Sequence, residues 1–429
     1  MVTAVFVVFV LALLLGVPIG AGILFACLSA SIVNPSFTAD AMFVFRNMIT
    51  AMDSYVLLAI PLFILSGNLM AKGGISDRLF TFFAYFVGDK TAGLPIAVIL
   101  SCLFYGAISG SAPATVAAVG AMTIPLLVSL GYDKRFVVSL VAVAGGLGVI
   151  IPPSIPFVMY GMTASTSVAD LFTAGIIPGC LIAVCLMVCA YIQCKRSGED
   201  KEKLNANAMQ LRAKGLGHVL KESSLALLCP VIVLGGIYSG MFTPTEAACV
   251  SVVYALVVSV FIYRSMKLKD ILEAINATVS SLVSMVFVAA AATVFGRVLS
   301  MMQVPQMVAS LLTSAFSSKV ALLLVINAFL LVVGMLMDAV SAILIVTPIL
   351  LPVISAIGMD PIHFGIMMTV NLAIGFVTPP VGVNLFVASN MSNIPVMQIA
   401  KRSVPFILFF LVALLILTFV PSISLFLVS

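Results

Sequence analysis

Oxygen-bearing side chains inside the apolar runs of this chain gather beside glycines and proline pairs. Gly145, Gly146 and Gly148 lead into Pro152-Pro153 and Ser154; Gly375 leads into Thr378, Pro379-Pro380 and Asn384. Proline lacks an N–H and clashes with the turn before it, so a helix breaks at each pair and leaves carbonyls free. Hydroxyls and freed carbonyls form a hard oxygen set, suited to a dehydrated cation. Ser109, Ser111 and Ser154 supply one such set; Asp338, Thr378 and Asn384 supply the other. Asp338 is the sharpest of these, because a carboxylate between apolar stretches is costly and is kept for function; a helix-capping acid is the competing reading. Arg297 interrupts the run Val286 to Met302. It either snorkels to the interface or faces an anion on a substrate route. Glu246 follows a Thr-Pro helix start and reads as a cap.

The elements that position these residues are membrane helices. Apolar residues make up 63 % of the 429, charged ones 8 %, and the net charge is +5; the mean hydropathy is +1.30. Runs of about 20 apolar residues recur from end to end, each able to span a bilayer. The fold class is therefore an all-α polytopic membrane protein. The first run, Val2 to Val33, lacks a basic start and is too long for a signal peptide, so it reads as one span. The charge gives no reason to expect nucleic acid. The eight cysteines show no metal spacing and read as packing residues; His218 and His363 read as surface residues near helix ends.

Two stretches, Asp40 to Ser54 and Met266 to Asn276, are only moderately apolar and read as interfacial arms. Residues 92–130 break at Gly106 to Pro113, and residues 320–357 break near Gly334 to Asp338, so each reads as a re-entrant hairpin. A constant shift of 227 residues carries Pro125 onto Pro352, Asp133 onto Asp360, Gly148 onto Gly375, Pro152 onto Pro379 and Pro178 onto Pro405. The chain is an internal duplication, although the upstream spans match only loosely. The first repeat covers 1–194, with spans over 1–90 and the hairpin and broken helix over 91–178. A basic cytoplasmic linker covers 195–222. The second repeat covers 223–429, with spans over 223–318, hairpin and broken helix over 319–403, and a final span over 404–429. Lys72, Arg78, Lys90, Lys134 and Arg135 flank the first hairpin, whereas only Lys319 and His363 lie near the second. By the positive-inside rule the two hairpins open to opposite sides, and the repeat is inverted.

There is no Gly-Lys dipeptide, hence no Walker A loop, and no HExxH or GxSxG; an enzyme has nothing to work with. The stretches Leu58 to Met70, Ser109 to Thr115, Ile151 to Ser154 and Gly236 to Ala247 resemble those of the large membrane subunit of TRAP (tripartite ATP-independent periplasmic) transporters. The resemblance implies a sodium-coupled elevator carrier of the ion-transporter superfamily in the bacterial inner membrane, with Na+ as coupling ion and no other cofactor. It implies sodium sites at Ser109, Gly110, Ser111, Gly145, Gly148 and Pro152, and at Gly334, Asp338, Gly375, Thr378 and Pro379. Substrate would sit between the tips, near Ser154 and Asn384, with Arg297 on its route. The implied partners are a four-helix small membrane subunit (Q) on a separate chain, a periplasmic substrate-binding protein (P), membrane lipid and a small organic anion, with sialic acid the leading expectation over a C4-dicarboxylate. A stand-alone sodium/dicarboxylate-type carrier needing no binding protein is the alternative, and a channel or membrane scaffold the reading from another class.

Overall fold

Backbone in hydrocarbon must satisfy its own hydrogen bonds, and a chain this apolar does so by forming helices. The computed structural model describes residues 1–316 and 318–428. Among them the helices run α1 Val2–Leu14, α2 Ile19–Val33, α3 Ala41–Met52, α4 Ala59–Lys72 and α5 Ile75–Val87. The first hairpin is α6 Gly93–Ser109 and α7 Ala112–Ser129; the first broken helix is α8 Lys134–Ala144 and α9 Ile155–Ala164. Then come α10 Val168–Ser197, α11 Lys201–Ala213, α12 Leu216–Tyr238, α13 Pro244–Leu256, α14 Leu268–Met301 and α15 Val304–Ala315. The second hairpin is α16 Lys319–Leu336 and α17 Ala339–Ala356, the second broken helix α18 Pro361–Gly375 and α19 Val383–Ser392, followed by α20 Val396–Phe419 and α21 Ser422–Leu425. Nine helical stretches among the described residues are long and apolar enough to cross a membrane.

The shift of 227 residues reaches further than the sequence alone suggests. Applied to the first residues of α3 and of α5 to α10, it lands within two residues of the starts of α14, α15, α16, α17, α18, α19 and α20. The halves also exchange contacts. α9 packs on α17 while α19 packs on α7, and α8 packs on α20 while α18 packs on α10. Tyr160 Oη donates to Pro361 O at 2.6 Å, and Asn384 Nδ2 donates to Ala142 O at 3.0 Å, one bond in each direction.

Three expectations change, and the linker gains structure. The run Val2 to Val33 is a hairpin of two short helices: Gly16 takes φ +76°, and a Cβ on Gly22 would lie 3.3 Å from Ala12 Cβ. The second arm, from Leu268 on, is the first quarter of one 34-residue helix, α14. Nothing between Leu268 and Phe295 is Gly or Pro, whereas Pro61 in the first half must sit in an opening turn and forces α4 to restart after α3. Much of the linker 195–222 is helical, as α11 and the start of α12. His363 is 1 % exposed, with Nδ1 3.2 Å from Ser424 Oγ. Glu246 does cap: its carboxylate accepts from Thr243 N–H at 2.8 Å and completes a capping box on α13.

Candidate functional site

Each hairpin tip is plugged into the break of its own half. At the first, a 3-10 turn over Gly145–Val149 carries the chain to the cis pair Pro152-Pro153, and Ser154 caps α9. Gly110, in the left-handed region at φ +61°, ends α6, and Ile155 N–H donates to its carbonyl at 3.3 Å. Only glycine fits this seam: a Cβ on Gly148 would lie 2.3 Å from Thr115 Oγ1 and 2.7 Å from Ser111 O. One on Gly145 would lie 2.2 Å from Val116 Cγ2. Ser109 and Thr115 are buried with their hydroxyls 3.0 Å apart, and Thr115 donates to Ser111 O at 2.8 Å. This gathers Ser109, Gly110, Ser111, Gly145 and Gly148 around one knot of oxygens. Thr115 belongs to it and was not singled out from sequence; its signal is a hydroxyl one turn after Ser111 in an apolar helix.

The second tip is built alike but is more open. A Cβ on Gly375 would lie 2.4 Å from the carbonyl carbon and oxygen of Gly334. Val381 N–H donates to Met335 O at 3.1 Å across the seam, and Thr378 Oγ1 donates to Ile374 O at 2.8 Å. Pro379-Pro380 is again cis. Asp338 caps α17, accepting from Ser341 N–H at 3.1 Å and Ser341 Oγ at 2.5 Å. It is exposed, whereas Ser111, its match under the shift, is half-buried. The capping reading of Asp338 is therefore realised, and its carboxylate still faces open space.

That space is shared by both halves. A cavity of about 130 Å³ is lined by Gly110 and Ser111 of the first tip, Asp338 and Ala339 of the second, Phe376 of the second break and Met285 of α14. Ser154 and Asn384 do not reach it. Ser154 Oγ donates to Val149 O at 2.5 Å, and Asn384 is wholly buried, so both hold the breaks in shape. Pro152 is likewise buried in its break. Arg297 lies elsewhere, in a larger chamber of about 540 Å³ with Phe43 and Asn47 of α3, Met159 and Thr163 of α9, and Leu344 of α17. Its guanidinium donates to Asn47 Oδ1. Among the described residues no group of three His, Cys, Asp or Glu side chains forms a metal cluster. The donors at the tips are hydroxyls, carbonyls and one carboxylate.

The feet of the hairpins are tied differently. Glu199 in the linker, its side chain 2 % exposed, accepts from Ala92 N–H at 3.0 Å and from Tyr132 Oη at 2.7 Å, so one carboxylate clamps both ends of the first hairpin. Burial and this carboxylate both push the Tyr132 phenol up. The second hairpin is closed by Lys319 Nζ donating to Ile357 O at 3.0 Å.

Comparison with known proteins fits this architecture. The structure superposes on that of the YdaH transporter of Alcanivorax borkumensis with a TM-score of 0.63, over 90 % of each chain and at 15 % identity, a likeness of fold. The chain is 43 % identical over 97 % of its length to the isethionate TRAP transporter permease protein DctMQ of Oleidesulfovibrio alaskensis, of which it spans 65 %. It is 42 % identical to the C4-dicarboxylate TRAP transporter large permease protein DctM of Pseudomonas aeruginosa, covering 87 % of this chain and 86 % of that one. The sialic acid TRAP transporter large permease protein SiaM of Vibrio cholerae is 36 % identical, over 96 % and 94 %. These relatives are named permeases, not enzymes. The family model of the tripartite ATP-independent periplasmic transporter, DctM component, matches residues 6–423, and the chain belongs to that family as a large permease subunit.

Proposed function

We propose that this subunit imports a compact organic acid anion across the bacterial inner membrane, driven by sodium, by moving its hairpins and broken helices as one body against the remaining helices. The observation that carries this reading is that one cavity is lined by both hairpin tips. Two oxygen knots flank it, and cations bound there would offset the charge of an anion held between them. Ser109, Ser111, Thr115 and the carbonyls near Gly145 and Gly148 serve one sodium ion. Asp338, Thr378 and the carbonyls near Gly334 and Gly375 serve the other. Half-helix ends and unwound backbone at membrane depth are the usual way for transporters to hold ions.

The cavity, about 130 Å³, is well below the roughly 300–1,000 Å³ of ordinary ligand sites, which favours a small anion over a sugar acid. Relatives named for isethionate, C4-dicarboxylates and sialic acid bracket the choice. Arg297 would draw the anion into the larger chamber before it reaches the tips. A small membrane subunit and a periplasmic binding protein complete the system in this reading.

The test is uptake into proteoliposomes carrying the subunit with its small partner. Binding protein loaded with isethionate, succinate or sialic acid is supplied with and without a sodium gradient. Uptake that needs both sodium and binding protein supports the proposal, and the preferred substrate tests the size argument. Sodium-driven uptake without a binding protein moves the chain to the stand-alone carriers. Flux indifferent to sodium, unchanged in Asp338→Ala, overturns the mechanism.

A further inference from the structure

The last turn of α10 and the first turns of α20 meet at the end of the molecule that the basic residues mark as cytoplasmic. A groove of about 430 Å³ opens there, lined by Gln193, Arg196, Ser197, Arg402, Pro405 and Phe409 among others. Lys195 and Lys401 stand beside the two arginines in sequence and are exposed. Among the described residues neither guanidinium donates a hydrogen bond or joins an ion pair. Arg402 rests 5.6 Å over the Phe136 ring, which leaves the edges of its fork free. The acids nearby are engaged elsewhere. Glu199 holds Ala92, Tyr132 and Lys201, Asp133 caps α8, and Asp200 pairs with Lys203. Gln193 donates through Nε2 to Cys189 Sγ at 3.3 Å, while its Oε1 is buried with no partner.

We propose that this groove is a binding site for an anionic phospholipid of the cytoplasmic leaflet, phosphatidylglycerol being the headgroup that fits. The phosphodiester takes the two guanidiniums, whose planar forks match phosphate oxygens. The exposed Ser197 hydroxyl bonds a glycerol hydroxyl, and the acyl chains run down Pro405 and Phe409. Basic grooves between membrane helices on the cytoplasmic side hold anionic headgroups in this way. The site links α10, which follows the first broken helix, to α20, which follows the second. A lipid bound there would tie the two halves at one end.

The experiment is native mass spectrometry of the purified full chain in neutral detergent, titrated with dioctanoyl phosphatidylglycerol. Dioctanoyl phosphatidylcholine and inorganic phosphate are the comparison ligands, and R402Q, R196Q and K214Q the variants. Saturable binding of the phosphatidylglycerol is expected, with little of the other two. R402Q and R196Q should each weaken it about fivefold, the share of one basic side chain near a membrane surface. K214Q, an exposed linker charge, should leave it unchanged. Equal binding of phosphatidylcholine overturns the proposal, and so does an equal loss in K214Q. Phosphate bound as tightly as the lipid overturns it too, because the site would then be one for a soluble anion.

Discussion

The two hairpin tips descend from one duplicated element and now differ in chemistry and in access. The first presents Ser109, Gly110 and Ser111, with Ser109 only 1 % exposed; it is pressed by α4, where a Cβ on Gly67 would lie 3.0 Å from Ser109 Cα. Its feet are clamped from outside the hairpin by Glu199. The second presents Met337 and Asp338, is open at Asp338, Pro380 and Val381, and closes its feet with its own Lys319. Neutral hydroxyls bury at modest cost when bonded to each other, whereas a carboxylate stays where water or a cation can reach it. The difference separates a fixed tip from one able to change its partners.

That contrast can be broken most forcefully at the glycine seams. Gly375→Ala and Gly148→Ala each drive a methyl into backbone, at a cost on the order of 3 kcal/mol. Both should abolish uptake and lower the melting temperature. A Gly148→Ala protein that transports normally would mean the first tip is not the rigid one. At the next level, Asp338→Ala should cut uptake by at least about tenfold, the worth of a lost charged contact, against about fivefold for Ser111→Ala. Asp338→Ser separates the roles, since it keeps the helix cap, gives the second tip the residue of the first, and removes the charge. Uptake equal to the parent in Asp338→Ser would reduce the carboxylate to a cap.

A third test loosens only one hairpin. Glu199→Ala removes two buried acceptor contacts, about 2 kcal/mol, so amide exchange near Ala92 and Tyr132 should quicken about thirtyfold. Residues near Lys319 and Ile357 should not change, and equal quickening there would show that the feet are not independently tied. The smallest effect is expected at Asn327, whose amide bonds to Leu323 O and Thr418 Oγ1 and accepts from Asn371. Its counterpart in the first half is Leu100. Asn327→Leu should cost about 1 kcal/mol in thermal unfolding, as interhelical polar contacts in bilayers do. A loss several times larger would show that the second half depends on a polar core the first half lacks.

The sequence revealed the hairpins and breaks because glycine and proline pairs interrupt helices wherever they fall. The wider repeat was harder to see, because apolar helices tolerate exchange of one aliphatic side chain for another and keep only their lengths. Pro61 illustrates the limit. Val288 stands in its place one repeat later, so the same stretch is a jointed pair in one half and an unbroken α14 in the other. Ser111 and Asp338 line the shared cavity, because a hairpin between two apolar runs has only its tip to offer, while Ser109 is buried one residue behind it. Ser154, Asn384 and Arg297 do not reach that cavity. Residue type identifies a polar group inside a membrane protein, but only the packed helices decide whether it faces a neighbour or an opening. Glu199 gave no signal at all, being one acid in a charged linker.

The exchange of α9 and α19 between halves bears on how such a protein arises and assembles. Each half leaves a groove that only the other fills, so neither half has a complete interior alone. Fragments cut at the linker should be recovered from cells as a pair or not at all. Before the two copies were joined in one gene, the ancestral polypeptide would have needed a second molecule, inserted the opposite way round, to be stable.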